Sequence, residues 1–308
     1  MKSRHGPGLS LAAQITRAAS LQTYYTIRFL VDRGREEDAY QAYAYFRWVD
    51  DWLDQGLRPR AERLAFVRRQ QALIESCLRG EAPADLTPQE GMLAHLLRQE
   101  PDRASGLHTY IRSMMAVMAF DAERRGRLVS QAELAEYTHE LAVAVTEAMH
   151  YFIGHGCAAP HGPTRYTAVT GAHIAHMLRD TREDIAAGYF NLPAELAAGG
   201  KAPTDANDPA YREWAKQSVQ KARACFKTGR EVMATVENLR CRIAGFAYMR
   251  CFEWTLDAIE RDGFALSANC SVKMGTARRL ELLAWAVWMA LRYRRAAAPA
   301  QPSALQIG

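Results

Sequence analysis

Apolar residues recur at every third or fourth position along almost the whole chain, and the strict alternation that marks half-buried strands is missing. Ala, Leu, Glu, Arg and Gln, all good helix formers, dominate the periodic stretches. Start signals punctuate the pattern. Thr87-Pro88-Gln89-Glu90 sets a capping hydroxyl, a first-turn proline and a third-position glutamate, and Ser130-Gln131-Ala132-Glu133 repeats the box without proline. Breaks fall at DRGR (32–35), QGLRPR (55–60), RGEAPADL (79–86), HGCAAPHGP (155–163) and AAGGKAPTDANDP (197–209). The pattern predicts helices over 10–32, 36–54, 60–79, 88–99, 104–124, 131–153, 165–187, 208–238, 241–262 and 274–293. No connection is long or biased enough for a linker between domains, and no repeat is visible. The expectation is one all-α domain over 15–293, about ten helices, between a flexible segment 1–14 and a disordered tail 294–308.

One helix breaks the rule that apolar faces are free of charge. YFRWVDDWLD, Tyr45 to Asp54, places Asp50, Asp51 and Asp54 among aromatic and branched side chains. An ionised carboxylate loses several kcal/mol of hydration on burial unless a partner replaces the water. Asp50 and Asp54 are an i, i+4 pair on one helix face, and Asp180 and Asp184 in HMLRDTRED form a second pair on another helix. Two carboxylate ledges facing each other across a bundle suit Mg²⁺, a hard cation that keeps waters and shares oxygen ligands with phosphate. Arg47, Arg179 and Arg182 flank the ledges, which adds a reason to expect a multiply charged anion such as diphosphate on the metals. The bland alternative is a set of surface Asp–Arg pairs of small energetic weight.

Composition narrows the field. The 308 residues are 49% hydrophobic and 24% charged with a net charge of +5, ordinary for a soluble globular protein. The basic clusters RRGR (124–127) and RYRR (292–295) are short and lack aromatic interleaving, so no nucleic-acid partner is expected. Six scattered cysteines form no CxxC pair and read as reduced thiols of a cytoplasmic protein, and the Lys-Ser-Arg-His start lacks the apolar core of a secretory signal. The longest apolar run, LLAWAVWMAL (282–291), is half of the roughly 20 residues that a membrane span needs. It is expected to be a core helix, with peripheral membrane contact open because the substrate is expected to be greasy.

The motifs resemble those of squalene and phytoene synthases. DDxxD in YAYFRWVDDWLD and DxxxD in MLRDTREDIAAGYFNLP, 130 residues apart, match the two aspartate-rich motifs of that family. Tyr43, Tyr45 and Arg47 match the residues before the first, and Leu178, Arg179, Glu183, Gly188, Leu192 and Pro193 those around the second. Weaker echoes are SLQTYYTIRFL (20–30), FDAERR (120–125) and WTLDAIERDGF (254–264). The resemblance implies an isoprenoid-synthase-type helical bundle around a central cavity. It further implies an allylic prenyl diphosphate as substrate and two or three Mg²⁺ ions held by Asp50, Asp51, Asp54, Asp180 and Asp184. Arg28, Arg47, Arg179 and Arg182 would grip the diphosphate. Tyr24, Tyr43, Tyr45 and Phe46 would line the pocket and steady an allylic cation, though aromatic residues on a helix are more often plain core.

The sequence also departs from the family. Two glycines expected within YTHELAVAVTEAM (137–149) are Val143 and Thr146, and their bulk predicts a shallower pocket. Glu147 follows Val143 by one helical turn. His173 and His176 replace the family's Gln and Asn, and with Asp180 and Asp184 they form one stripe. Glu147, His173 and His176 are therefore the candidate acid–base residues; a zinc site is a further reading of the histidines, with no third ligand at the right spacing. Lost space and added proton-transfer groups favour a short, dimethylallyl-type donor and a small aromatic acceptor such as a carbazole, as in divergent bacterial relatives that work in secondary metabolism. The alternative is head-to-head coupling with a second prenyl diphosphate as acceptor. A non-catalytic helical partner on this fold would tend to lose the aspartates, and an HD-type phosphohydrolase would need a His-Asp dipeptide, which the chain lacks. Nothing in the sequence fixes an oligomeric state.

Overall fold

The computed structural model describes residues 9–56, 58–157, 159, 161–197, 205, 206, 208–266 and 275–294. Among them eleven α-helices follow one another: α1 Leu11–Ala19, α2 Leu21–Leu30, α3 Glu36–Asp54, α4 Arg60–Leu78, α5 Pro88–Gln99, α6 Gly106–Arg124, α7 Gln131–Phe152, α8 Thr167–Ala187, α9 Pro209–Ala234, α10 Leu239–Arg261 and α11 Thr276–Arg294. No strand occurs among the described residues. The capping boxes at Thr87 and Ser130 are both formed and start α5 and α7.

The stretch 10–32, expected as one helix, is two. Ser20 adopts an extended backbone, with its N–H still donating to the Thr16 carbonyl and its hydroxyl accepting from the Thr23 N–H. Serine competes in this way with the helical ladder, and the apolar period hides the break because both halves pack on α3. Helix α1 also begins inside the segment 1–14 expected to be flexible, with the Ser10 hydroxyl accepting from Ala13. Residues 1–8 and 295–308, and so most of the expected flexible ends, lie outside the described residues.

Helices α3, α6, α7 and α8 form the inner walls; α9 backs α8, and α10 packs on α8, α9 and α11. The α8–α9 crossing is tight for a stated reason. A Cβ on Gly229 would stand 2.8 Å from the Ala168 Cα, and one on Gly171 would stand 3.0 Å from the Ala222 carbonyl oxygen. Glycine inside a helix costs roughly 0.5–1 kcal/mol, offset here by the dispersion contacts that close approach creates. The run 282–291 is only half core: Ala286, Met289 and Ala290 are buried, whereas Leu283, Trp288 and Leu291 are exposed. No helix among the described residues is long and apolar enough to cross a membrane.

Candidate active site

Asp50 and Asp54 on α3 and Asp180 and Asp184 on α8 line a single cavity of about 360 Å³. The i, i+4 spacing delivers each pair to the inner face of its helix. Asp51 sits about 100° further round α3; it accepts from Arg47 and does not line the cavity, so it leaves the expected ligand set. Two more helical walls contribute Asp121 and Arg124 from α6 and Tyr137 from α7, and α8 adds His173 and His176.

The acidic groups disturb one another. Burial, and then the neighbouring charge of Asp54, pushes Asp50 up to about 7. Burial and the charge of Asp180 push Asp184 up to about 6, even though the Asn191 amide donates to it at 2.6 Å. Asp180 goes the other way. Burial opposes its ionisation, but the Arg179 guanidinium (2.5 and 2.7 Å) and His176 (2.7 Å) outweigh that and hold it well below the usual carboxylate range. Asp54 accepts from the Tyr189 hydroxyl at 3.1 Å.

These residues fit a divalent metal. The donors are hard oxygens on two facing walls, and two of them are pushed towards protonation by burial beside a like charge, a penalty that a bound cation would relieve. Among the described residues no three are drawn together as a closed metal cage. An open arrangement of that kind suits Mg²⁺, which shares its ligands with water and substrate phosphate.

A second cavity of about 370 Å³ carries the opposite chemistry. Its lining includes Ala42 and Tyr43 of α3, Tyr110 and Met114 of α6, Val145 and Ala148 of α7, Val169 of α8 and Tyr248 of α10. Both cavities are lined from α3, α6, α7 and α8, and the second also draws on α2 and α10. Tyr43 lies one turn before Arg47, Val169 one turn before His173, and Met114 two turns before Asp121. The charged chamber and the apolar one therefore lie at successive levels along the same helices.

The squalene/phytoene synthase family model matches residues 16–285. The chain belongs to the squalene/phytoene synthase family. A dehydrosqualene synthase solved with a ligand superposes at a TM-score of 0.66 with 17% identity, covering 92% of this chain and 95% of that one. The squalene synthase HpnC from Alicyclobacillus acidocaldarius gives 0.62 with 20% identity, over 82% and 93%. TcSQS in complex with a ligand gives 0.68 with 14% identity, over 94% and 92%. No curated protein matches the chain at significance. Membership makes the chain a prenyltransferase-type enzyme acting on prenyl diphosphates, in a family that ionises the diphosphate with a divalent metal.

Several expected family residues stand elsewhere. On α7 the cavity side is Val145, Ala148 and Met149; Val143 and Thr146 are buried on other faces and do not line it. Residue 143 lies about 200° round the helix from 145. The inference of a pocket made shallower by those two side chains therefore fails. Glu147 is turned the same way, clamped by the Arg165 guanidinium (2.7 and 3.1 Å) and the Tyr166 hydroxyl (3.2 Å) in a separate surface hollow, so it is not an acid–base residue of this site. Tyr45 is fully buried and donates to Gln70 at 3.0 Å, and Phe46 packs between the Tyr45 and Tyr110 rings. Tyr24 stacks on Tyr40. Of the expected aromatic lining only Tyr43 faces the cavity.

The arginines are rearranged too. Arg28 is exposed outside the charged chamber, Arg182 donates to the Leu266 carbonyl at 2.9 Å, and Arg179 grips Asp180 without lining the chamber. Arg47 alone of the four lines it, together with Arg124, which sequence reasoning missed. Arg124 donates to Asp121 (2.6 Å) and Asn191 (2.8 Å) and lies over the rings of Tyr137 and Tyr189. Tyr137 donates to Asp121 at 3.1 Å. FDAERR held the signal for Asp121 and Arg124; Tyr189 and Asn191 came from a loop whose contacts no periodicity reveals.

The two histidines differ. His176 is half-exposed and bonded to Asp180, whereas His173 is 5% exposed with neither ring nitrogen partnered. Its ring stands edge-on to Tyr137 at 5.1 Å. Burial pushes it down to about 3, so it is the neutral imidazole.

Proposed function

We propose that the protein couples two prenyl diphosphates head to head, with Mg²⁺ held at Asp50, Asp54, Asp180 and Asp184. The observation that carries this reading is the placement of an acidic chamber and an apolar one at successive levels along the same helices. When bound, the metal supplies charge neutralisation for the departing diphosphate. The residues of the chain do the rest. Arg47 and Arg124 add fixed positive charge beside the carboxylates, where the leaving group develops negative charge. The apolar chamber takes the hydrocarbon tail, and Tyr43, Tyr110 and Tyr248 place aromatic rings in its wall, where they can steady a carbocation. Dehydrosqualene synthase and squalene synthases among the similar structures support a second prenyl chain as acceptor. The small aromatic acceptor loses its main support, since Val143 and Thr146 take no space from the chamber. Peripheral contact with a membrane, suited to a greasy product, is consistent with the exposed leucines and Trp288 of α11.

The test is direct. The protein is incubated with Mg²⁺ and dimethylallyl, geranyl, farnesyl or geranylgeranyl diphosphate, with and without an added carbazole, and products are weighed by mass spectrometry. Head-to-head coupling gives a hydrocarbon of twice the donor's carbon number from donor alone. Product that forms only with the carbazole present would replace this reading by aromatic prenylation.

A further inference from the structure

His173 is the one buried imidazole in the charged chamber, and it is poorly explained as a structural residue. Both ring nitrogens are buried and unpartnered, so they have lost hydration without a hydrogen bond in return. Such orphans in a folded protein mark a strain reservoir or a ligand contact. Tyr137 meets the ring edge-on with its hydroxyl committed to Asp121, and the charges of His176 and Arg124 reach the ring without a hydrogen bond to it. His176, three residues on, is committed to Asp180. Placement gives the orphan a use. His173 lies one turn from Val169 of the apolar chamber and within the lining of the charged one, so it stands between the two levels, where the reacting carbons must lie.

We infer that His173 is the base that ends the reaction by taking a proton from the carbocation left after carbon–carbon bond formation. This rests on the coupling reading above and names its termination. Ionisation breaks the allylic C–O bond and sends the electron pair out with diphosphate. Carbon–carbon bond formation leaves a positive carbon, which loses one proton to the released diphosphate. That gives a neutral joined chain that still carries the second diphosphate. Breaking that second C–O bond sends its electron pair out with the second diphosphate and leaves a positive carbon again. A lone pair on the imidazole then takes H⁺ from the adjacent carbon, and the C–H electron pair becomes a C=C bond. The product is a neutral polyene, and no oxidant or reductant is consumed. The imidazolium passes its proton to solvent as product leaves. Burial disfavours the charged ring, which returns it to the neutral form for the next cycle. A weak base suffices, because a carbocation is a far stronger acid than an imidazolium.

The test uses the full chain with Mg²⁺ and farnesyl diphosphate, and compares wild type with His173→Phe and His173→Gln. Phenylalanine keeps the ring and removes both nitrogens; glutamine keeps polar groups without a basic lone pair. Pyrophosphate released and the ratio of alcohol to hydrocarbon are measured together, and melting temperature checks folding. Both variants are expected to turn over more slowly. Of the cations they form, water should capture a share raised at least about tenfold relative to hydrocarbon, since a positioned base is worth roughly 10²–10⁴-fold. A merely structural role would slow release without moving that ratio. An unchanged ratio in a folded variant overturns the assignment of His173 and leaves coupling intact. Absence of hydrocarbon from the wild type overturns the coupling reading itself, and the termination step with it.

Discussion

The two chambers are nearly equal in size, about 360 and 370 Å³, and share walls from α3, α6, α7 and α8, yet one is crowded with carboxylates and the other is mostly apolar. A single turn of α3 separates Tyr43 from Arg47, and a single turn of α8 separates Val169 from His173. The difference shows how a bundle assigns chemistry by position along a stripe. The apolar chamber holds no charged side chain and so carries no comparable electrostatic penalty. The charged chamber is at odds with itself, because burial beside like charge pushes Asp50 and Asp184 towards protonation.

Removing those carboxylates should break the comparison most severely. Asp50→Asn and Asp180→Asn are each expected to lower pyrophosphate release by about 10³-fold or more, the scale of losing preorganised charge stabilisation at a leaving group. Their stabilities should diverge. Burial and Asp54 make ionisation of Asp50 unfavourable, so Asp50→Asn should raise the melting temperature of the metal-free protein. Asp180 is stabilised by Arg179 and His176, so Asp180→Asn should lower it. Release at the wild-type rate in either variant would falsify the assignment of the walls.

Filling the apolar chamber should have a smaller and selective effect. Ala148 lines it with little bulk. Ala148→Phe is expected to reduce kcat/KM for geranylgeranyl diphosphate by about 10–10²-fold, the range that a few methylenes in a pocket command, while sparing the shorter donors. Equal losses across donor lengths, read from a competition assay, would mean that the chain does not lie there.

The acidic chamber can be relieved without mutation. Asp50 and Asp184 have pKa values in the fold above those of the unfolded chain, so between about pH 4 and 7 the native state binds more protons than the unfolded one. Their contribution to stability therefore falls as pH rises through that window. The metal-free protein should lose melting temperature in this range through these groups, and Mg²⁺ should raise it by more at pH 8 than at pH 5. An equal Mg²⁺ effect at both pH values would show that the ion binds away from these two side chains.

Helix type, most helix positions and the two Asp pairs were legible in the sequence because each is a local period: 3.6 residues per turn sets both the apolar stripe and the i, i+4 spacing. What failed was rotation. Glu147 and Val143 were placed on the cavity side of α7 by register with the family's glycines, whereas packing turned Val145 and Ala148 inward. Tyr45 shares the first motif with Asp50 but faces Gln70. Arg124 and Asn191 were missed because their pairing joins α6 to a loop 67 residues away, a contact that no local pattern encodes.

The rotation of α7 can itself be tested at a site where the activity effect is expected to be nearly nil. Val143 is 9% exposed and lies on a face away from the chamber. Val143→Gly removes a buried side chain and places glycine inside a helix, for a loss of roughly 2–4 kcal/mol and a lower melting temperature. Because the space vacated is outside the chamber, the distribution of product chain lengths should stay that of wild type. Val145→Gly costs the helix a similar amount but opens the chamber wall, so it should shift the preference toward longer donors. The pair separates two explanations that a single variant would confuse, since both proteins are weakened alike and only one is widened. Longer products from Val143→Gly, with none from Val145→Gly, would mean that α7 presents its other face to the substrate.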